Sequence, residues 1–232
     1  DIMMRVFCTA ILVSAMFWPA IAAATPLDRW RTSCSVDKGA ITKKRNTYTF
    51  KTSTNRCTGG TFNQRAELTS EKVSPTTRGA FLFKTSVAMN SGSDEQFDIF
   101  QIHDGRDGCA PPLKVQVAPN GTFRLQSAVK LGPGENCIPE DRTTGRSDVK
   151  FRRDGTQHDL RVLIQFDGQG GFSTHVWLDD TLTVKGNYTT PTNPDAFRSK
   201  YFYFKHGVYS KNMFDYQMIS DGMDVKKVKV SQ

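Results

Sequence analysis

Short segments of alternating polar and apolar residues, rich in β-branched and aromatic side chains, follow one another along most of the chain. A period of two is typical of β-strands that bury one face. The segments with this pattern are 47–52, 79–87, 97–103, 113–117, 122–126, 160–166, 172–178 and 225–230. Turn-forming pairs such as Asn120-Gly121 and Asp154-Gly155 separate several of them. The pattern predicts an all-β sandwich or jelly roll.

Two segments interrupt this pattern. Residues 132–146 are rich in Gly, Pro, Thr and charged side chains, which predicts a long surface loop around Cys137. Residues 194–198 begin with Pro and continue with Asp and Ala, which predicts a short helix.

The first 24 residues differ from the rest of the chain. Arg5 precedes an apolar run over 6–17, Pro19 follows it, and 22–24 is a run of three Ala. These are the charged, apolar and cleavage regions of a secretory signal peptide, and the run is too short for a membrane anchor. We expect residues 1–24 to be a signal peptide with a short preceding extension, and 25–232 to form one secreted or periplasmic domain without membrane attachment.

The cysteines agree with export. Cys8 lies in the expected signal peptide, which leaves an even number for the mature domain. Because each pair closes a local loop, we expect the disulfides Cys34–Cys57 and Cys109–Cys137. Zinc is the competing interpretation, but the chain has no C-x-x-C motif and its histidines are scattered. We therefore predict no metal and no cofactor.

The chain has a formal net charge of +8. The expected signal peptide contains one base and one acid, so its removal leaves this charge unchanged. Such a protein favours an anionic partner: a nucleic acid, a membrane surface or an acidic glycan. The basic residues are dispersed and the aromatic residues fall on the predicted buried faces. This distribution argues against nucleic acid, and the charge by itself does not choose among the remaining anionic partners.

Polar side chains with acid–base or anion-binding chemistry share faces of three predicted strands. Residues two apart in a strand point the same way. The side chains grouped by this rule are Arg65 and Glu67; Gln101 and His103; and Tyr203, Lys205 and Tyr209. If the three strands are neighbours, these groups form one polar strip backed by apolar residues.

These residues carry a resemblance to a known family. Segments 65–68 (RAEL), 101–103 (QIH) and 203–209 (YFKHGVY) resemble the R-x-E-L, Q-I/V-H and Y-F-K-x-G-x-Y motifs of alginate lyases of polysaccharide lyase family seven, in the family's order. Segment 111–117 (PPLKVQV) is also similar. The resemblance implies a single β-jelly-roll sandwich of the concanavalin A-like type with a concave polar cleft. It also implies an endo-type lyase that cleaves a polyuronate, alginate first, by β-elimination.

The resemblance assigns roles to residues. Catalysis falls to Tyr209, His103, Gln101 and Arg65, with Arg65, Gln101 and His103 neutralising a substrate carboxylate. Tyr209 is the first candidate for base and acid, and His103 is the alternative base. The substrate-binding set is Glu67, Lys205, Tyr203, Lys211 and Asn212. Lys211 stands where the family motif often continues with Gln, which leaves the substrate open.

The sequence is also compatible with other functions. One is a lyase for glucuronan or another acidic glycan, and another is a non-catalytic glycan-binding jelly roll. A retaining glycoside hydrolase would need two carboxylates at short spacing, for which Asp94, Glu95 and Asp98 are the candidates. In each case we expect a monomer.

Overall fold

The structure is a computed structural model that describes residues 24–54 and 62–230. The expected signal peptide up to Ala23 and the second cysteine of the expected Cys34–Cys57 pair lie outside these ranges. No helix within the ranges is long and apolar enough to span a membrane. A one-turn 3₁₀ helix over Pro26–Asp28 precedes the first strand.

Fifteen strands over the described residues form two antiparallel sheets. They are β1 (Trp30–Thr32), β2 (Ile41–Lys44), β3 (Thr47–Lys51), β4 (Gln64–Ser70), β5 (Arg78–Asn90), β6 (Phe97–His103), β7 (Leu113–Val117), β8 (Phe123–Lys130), β9 (Cys137–Asp141), β10 (Thr143–Arg146), β11 (Asp154–Asp167), β12 (Phe172–Leu178), β13 (Thr181–Tyr188), β14 (Tyr203–Ser210) and β15 (Gln217–Val228). The smaller sheet has the order β1-β4-β14-β6-β7-β8-β9, and the larger has the order β10-β13-β12-β11-β5-β15-β3-β2.

The core lies between the two sheets and is rich in aromatic rings. Phe83 of the larger sheet meets Phe100 of the smaller sheet at 5.0 Å between ring centroids, and Phe100 meets Phe204 at 5.1 Å. All three side chains are fully buried. The predicted all-β sandwich is confirmed, because the period-two segments each place one face in this shared core.

Two local predictions are wrong. Part of the segment predicted as a surface loop forms β9 and β10, which pair with β8 and β13 at the sheet edges. Edge strands tolerate the Pro139 and Gly145 that argued against strand structure. Residues 194–198 contain a turn at Pro194 and Asp195 and no helix. A segment of about five residues is too short to form a stable helix without strong tertiary support.

A bulge in β6 changes which side chains face outward. In its pairing with β7, Asp98 is opposite Gln116 and Phe100 is opposite Val115, so Ile99 is an extra residue. Ile99 and Phe100 consequently both lie in the core, while Asp98 turns to the opposite face. Strict alternation would have exchanged Ile99 and Asp98.

Candidate active site

A cleft of about 290 Å³ lies over the outer face of the smaller sheet. Strands β4, β14, β6 and β7 form its floor, and the 106–111 segment after β6 forms one wall. The residues that line it are Phe62, Arg65, Gln101, His103, Arg106, Asp107, Gly108, Cys109, Ala110, Pro111, Lys114, Tyr203, Lys205 and Tyr209. Each of the three motif strands therefore contributes side chains to one cleft.

Strand register brings the motif residues into contact. Because β14 lies between β4 and β6, Tyr209 is directly opposite Arg65, Lys205 is opposite Gln101, and Tyr203 is opposite His103. Side chains directly opposite each other in antiparallel strands have Cβ atoms about 5 Å apart. Residues a hundred or more positions apart in sequence thus become neighbours.

Glu67 is the buried centre of this cluster. Its side chain is 1% exposed, and it does not line the cleft. The amide of Gln101 donates a hydrogen bond to Glu67 Oε1. The Nε of Arg65 and the Nζ of Lys205 lie 3.6 and 3.7 Å from Glu67 Oε2. One carboxylate therefore orients an amide and two cations, and the group keeps a net charge of +1.

Tyr209 packs against an aromatic ring and a guanidinium group. The Phe62 ring stacks on it at 4.7 Å, and the Arg65 guanidinium lies 4.4 Å from its ring centroid. The backbone N–H of Phe62 donates to the Tyr209 hydroxyl oxygen over 3.3 Å. These contacts fix the position of the Tyr209 ring and hydroxyl in the cleft.

His103 and Tyr203 stack at 5.4 Å and differ in protonation. Burial, with help from the positive charges of Lys205 and Arg65, lowers the pKa of His103 well below 6.5. The imidazole is therefore neutral at pH 7. Burial raises the pKa of Tyr203 to about 12, so its hydroxyl stays protonated. Within the described chain, His103 Nδ1 is buried without a hydrogen-bond partner.

Burial also lowers the pKa of Lys205 from its usual value of 10.5, with the nearby Glu67 carboxylate opposing this effect. An ammonium group with few surrounding groups to solvate it gains from an incoming anion.

Gly207 is required where β14 passes β4. Its φ of +145° is unfavourable for residues with a side chain, and a Cβ there would overlap the carbonyl oxygen of Ala66. Close approach at this point keeps Lys205 and Tyr209 beside β4. The glycine of the Y-F-K-x-G-x-Y segment thus has a packing role.

Sequence reasoning missed Lys114 and Phe62. Lys114 Nζ is 2.7 Å from Asp98 Oδ2 and 4.6 Å from the Phe62 ring centroid. Gln116 donates to the other oxygen of Asp98 over 2.9 Å. Alternation along β7, with Lys114 and Gln116 on one face, could have identified Lys114. Its partner Asp98 lies on this face only because of the bulge in β6, which strict alternation does not predict.

The cleft wall is held by a buried ion pair and a disulfide. Arg106 donates to both oxygens of Asp104 over 2.9 and 2.7 Å, and to the Tyr188 hydroxyl over 2.9 Å. The predicted Cys109–Cys137 disulfide is confirmed and ties the wall to β9. The Cys34–Cys57 pairing stays a prediction.

Lys211 and Asn212 follow β14 and are exposed, and neither lines the cleft. The Asn212 side-chain amide donates to both carboxylate oxygens of Glu95, each over 3.1 Å. Lys211 accepts a hydrogen bond from the Asn63 backbone through its carbonyl oxygen. The structure therefore places these two residues at the margin and Glu67 below the floor, whereas the other predicted site residues line the cleft.

No protein-family model and no curated protein sequence matches the chain. Solved structures do match. An alginate lyase from polysaccharide lyase family 7 is 15% identical, over 88% of this chain and 96% of that chain, with a TM-score of 0.56. The alginate lyase from Klebsiella pneumoniae is 14% identical, over 88% and 97%, with a TM-score of 0.56. The alginate lyase from Alteromonas sp. 272 is 13% identical, over 87% and 95%, with a TM-score of 0.54. At these identities the similarity establishes the fold, and this chain has the jelly-roll fold of these structures.

Proposed function

We propose that this protein is an endo-acting polysaccharide lyase that cleaves a polyuronate, alginate first, by β-elimination. The observation that carries the proposal is the convergence of Arg65, Gln101, His103, Lys205 and Tyr209 on one cleft. The fold shared with alginate lyases supports it.

The reaction first needs a more acidic C5 proton. A uronate carboxylate makes this proton weakly acidic, because the carbanion would add charge to an anion. Donors and cations at the carboxylate stabilise that charge. Arg65 offers a guanidinium fork, and Gln101 retains a second N–H after bonding to Glu67. The net positive cluster around Glu67 therefore suits the substrate carboxylate.

A base then removes the C5 proton, and an acid protonates the departing C4 oxygen. Tyr209 is our candidate for one or both steps, since it lines the cleft opposite Arg65 and its hydroxyl is held by the Phe62 N–H. Neutral His103 is the alternative base. Tyr203 is a poor base because its pKa is raised to about 12. Glu67 acts as a positioning residue and not as a substrate contact.

The competing hydrolase mechanism needs two carboxylates at the scissile bond. Among the described residues that line the cleft, the one carboxylate is Asp107, whose side chain is 90% exposed and pairs with Lys130. Asp98 is buried against Lys114, and Glu95 is bonded to Asn212. This arrangement favours elimination over hydrolysis.

The direct test is ultraviolet absorbance of unsaturated product across alginate blocks, glucuronan, pectate and glycosaminoglycans. We expect absorbance to rise with one or more polyuronates. A glucuronan preference would select the glucuronan-lyase alternative, and binding without product would select the non-catalytic alternative. Size analysis of early products tests the endo mode, and sedimentation tests the expected monomer.

The Tyr209→Phe variant separates an enzyme from a binder. Removal of one hydroxyl should lower kcat by about two to four powers of ten while substrate still binds. Tyr201→Phe is a matched control, because Tyr201 packs against Lys72 and does not line the cleft. Near-full activity of folded Tyr209→Phe protein would contradict the mechanism.

Two further variants separate the remaining roles. Arg65→Ala removes the guanidinium that binds the substrate carboxylate, so it should raise KM and lower kcat. His103→Ala should abolish turnover if His103 is the base, and should reduce it partially if His103 donates to the carboxylate.

We also propose that the mature domain is secreted or periplasmic, which the disulfide supports. Mass spectrometry of exported protein should find a chain that begins near Thr25. Detection of residues 1–24 on that protein would contradict the proposed cleavage.

A further inference from the structure

The larger sheet carries an apolar patch on the face that points away from the core. Val176 and Leu178 are fully buried, so the intervening Trp177 points outward. Leu182 and Val230 are 39% and 45% exposed. We define the outer patch as Leu82, Leu163, Trp177, Leu182, Val228 and Val230. A shallow depression of about 310 Å³ lies over most of it.

Cations flank this patch because of the strand register. One row across the sheet reads Lys185, His175, Leu163, Leu82 and Lys226, with each residue opposite the next. The adjacent row reads Leu182, Trp177, Arg161 and Lys84. Each row spans strands about 4.8 Å apart, so Lys185 and Lys226 lie about 19 Å apart across an apolar centre.

The surrounding charge is net positive. The cations at the patch are Lys84, Arg161, Lys185, Lys226 and Lys229, and the nearby acids are Asp159, Asp180 and Asp224. Two of these acids are already paired. Asp224 Oδ2 is 3.1 Å from Lys226 Nζ and 3.9 Å from Lys84 Nζ, and Asp180 pairs with Arg161.

We propose that the outer patch is a second binding site for the same acidic polysaccharide, separate from the cleft. This proposal rests on the proposed function for the identity of the polymer. Pyranose rings present apolar C–H faces, which suit Trp177 and the leucines, and their carboxylates lie at the ring edges, where the cations are. The ligand thus matches both the apolar centre and the cationic flanks.

The charge arrangement disfavours a second copy of this chain as the occupant. A two-fold symmetric dimer would place the same patch on both sides of the interface. The five cations against three acids leave each patch with a net charge of +2, so two copies would repel each other. An anionic polymer meets no such repulsion.

Gel retardation in long-chain alginate tests the proposal. Measurements in a Tyr209→Phe background keep the polymer intact. Trp177→Ala should weaken retardation about tenfold, as expected for loss of a central aromatic contact. Because Trp177 is partly packed, a second variant is needed. Lys185→Glu with Lys226→Glu reverses the charge at the two ends of the first row and keeps the apolar side chains. It should weaken retardation similarly.

The control is Lys44→Glu with Lys150→Glu, which makes the same charge change at exposed positions outside the patch. Its retardation should stay close to that of the parent. Equal losses in the control and the patch variants would show attraction by overall charge and overturn the proposal. Unchanged retardation of the patch variants, or a dimer in sedimentation that Trp177→Ala dissociates, would also overturn it.

Turnover of a short oligosaccharide separates this proposal from the proposed function. In the wild-type background, the patch variants should cleave it at the parent rate, because it occupies only the cleft. If the parent cleaves no polyuronate, the proposed function fails, and the retardation comparison still decides whether the outer patch binds.

Discussion

Removal of the Cys109–Cys137 disulfide should destabilise the protein and loosen the cleft wall. The two cysteines are 28 residues apart. In the chain-entropy description, a cross-link closing a loop of this length lowers the entropy of the unfolded chain by an amount worth about 3.6 kcal/mol at 25 °C. The double variant Cys109→Ser, Cys137→Ser should lose roughly this much free energy of unfolding.

Urea unfolding followed by fluorescence measures the change. With an m-value of about 2–3 kcal/mol/M, the midpoint should fall by about 1.2–1.8 M. Each single Ser variant breaks the same cross-link, so it should lose the same stability as the double variant. This equality is the internal control, since a local effect of one thiol would make the two single variants differ.

The wall should remain partly ordered without the disulfide. Arg106 still bonds to Asp104 and Tyr188, and Lys130 Nζ still donates to the Asp107 and Gly134 carbonyl oxygens. We therefore expect a higher KM with a smaller change in kcat. A midpoint unchanged by loss of the cross-link would refute the entropic reasoning, and an unchanged KM would refute the role of the disulfide in the wall.

Four further predictions concern single groups and charge. Burial lowers the pKa of His206 from 6.5 to about 4, so on acidification this imidazole takes up a proton in the unfolded chain before it does in the folded chain. The free energy of unfolding should therefore fall by about 3 kcal/mol as the pH drops from 6.5 to 4. His206→Gln should reduce this pH dependence in urea titrations. Gly207→Ala should lower stability by about 3 kcal/mol in thermal unfolding, through backbone strain and overlap with Ala66. Glu67→Gln should lower kcat about 10–100-fold in steady-state assays by releasing Gln101 and Arg65 from their shared carboxylate. Substrate affinity measured by titration should fall as the salt concentration rises, because salt screens the attraction between a chain of net charge +8 and a polyanion. Binding that does not depend on salt concentration would contradict a polyuronate ligand.

Several elements were predictable because their pattern is local. Strands β6, β7 and β12 have the bounds that alternation predicted. The shared faces of Gln101 with His103, and of Lys205 with Tyr209, follow from the same period of two. The Cys109–Cys137 pair was predictable because the two cysteines close a short loop.

Other elements depended on partners distant in sequence. Strands β9 and β10 form because β8 and β13 supply hydrogen-bond partners at the sheet edges. Asp98 faces the cleft side because β6 carries an extra residue relative to β7. Neither feature has a signal within its own segment.

The all-β class and the side chains that share a strand face are predictable from the sequence, since both follow from the alternation of the backbone. Only the folded protein makes Glu67 a buried centre beneath the cleft and brings Lys114 into the lining. The fold also leaves Lys211 and Asn212 at the margin of the cleft. Register and bulges control these outcomes, and they are set by packing and hydrogen bonding between strands far apart in the chain.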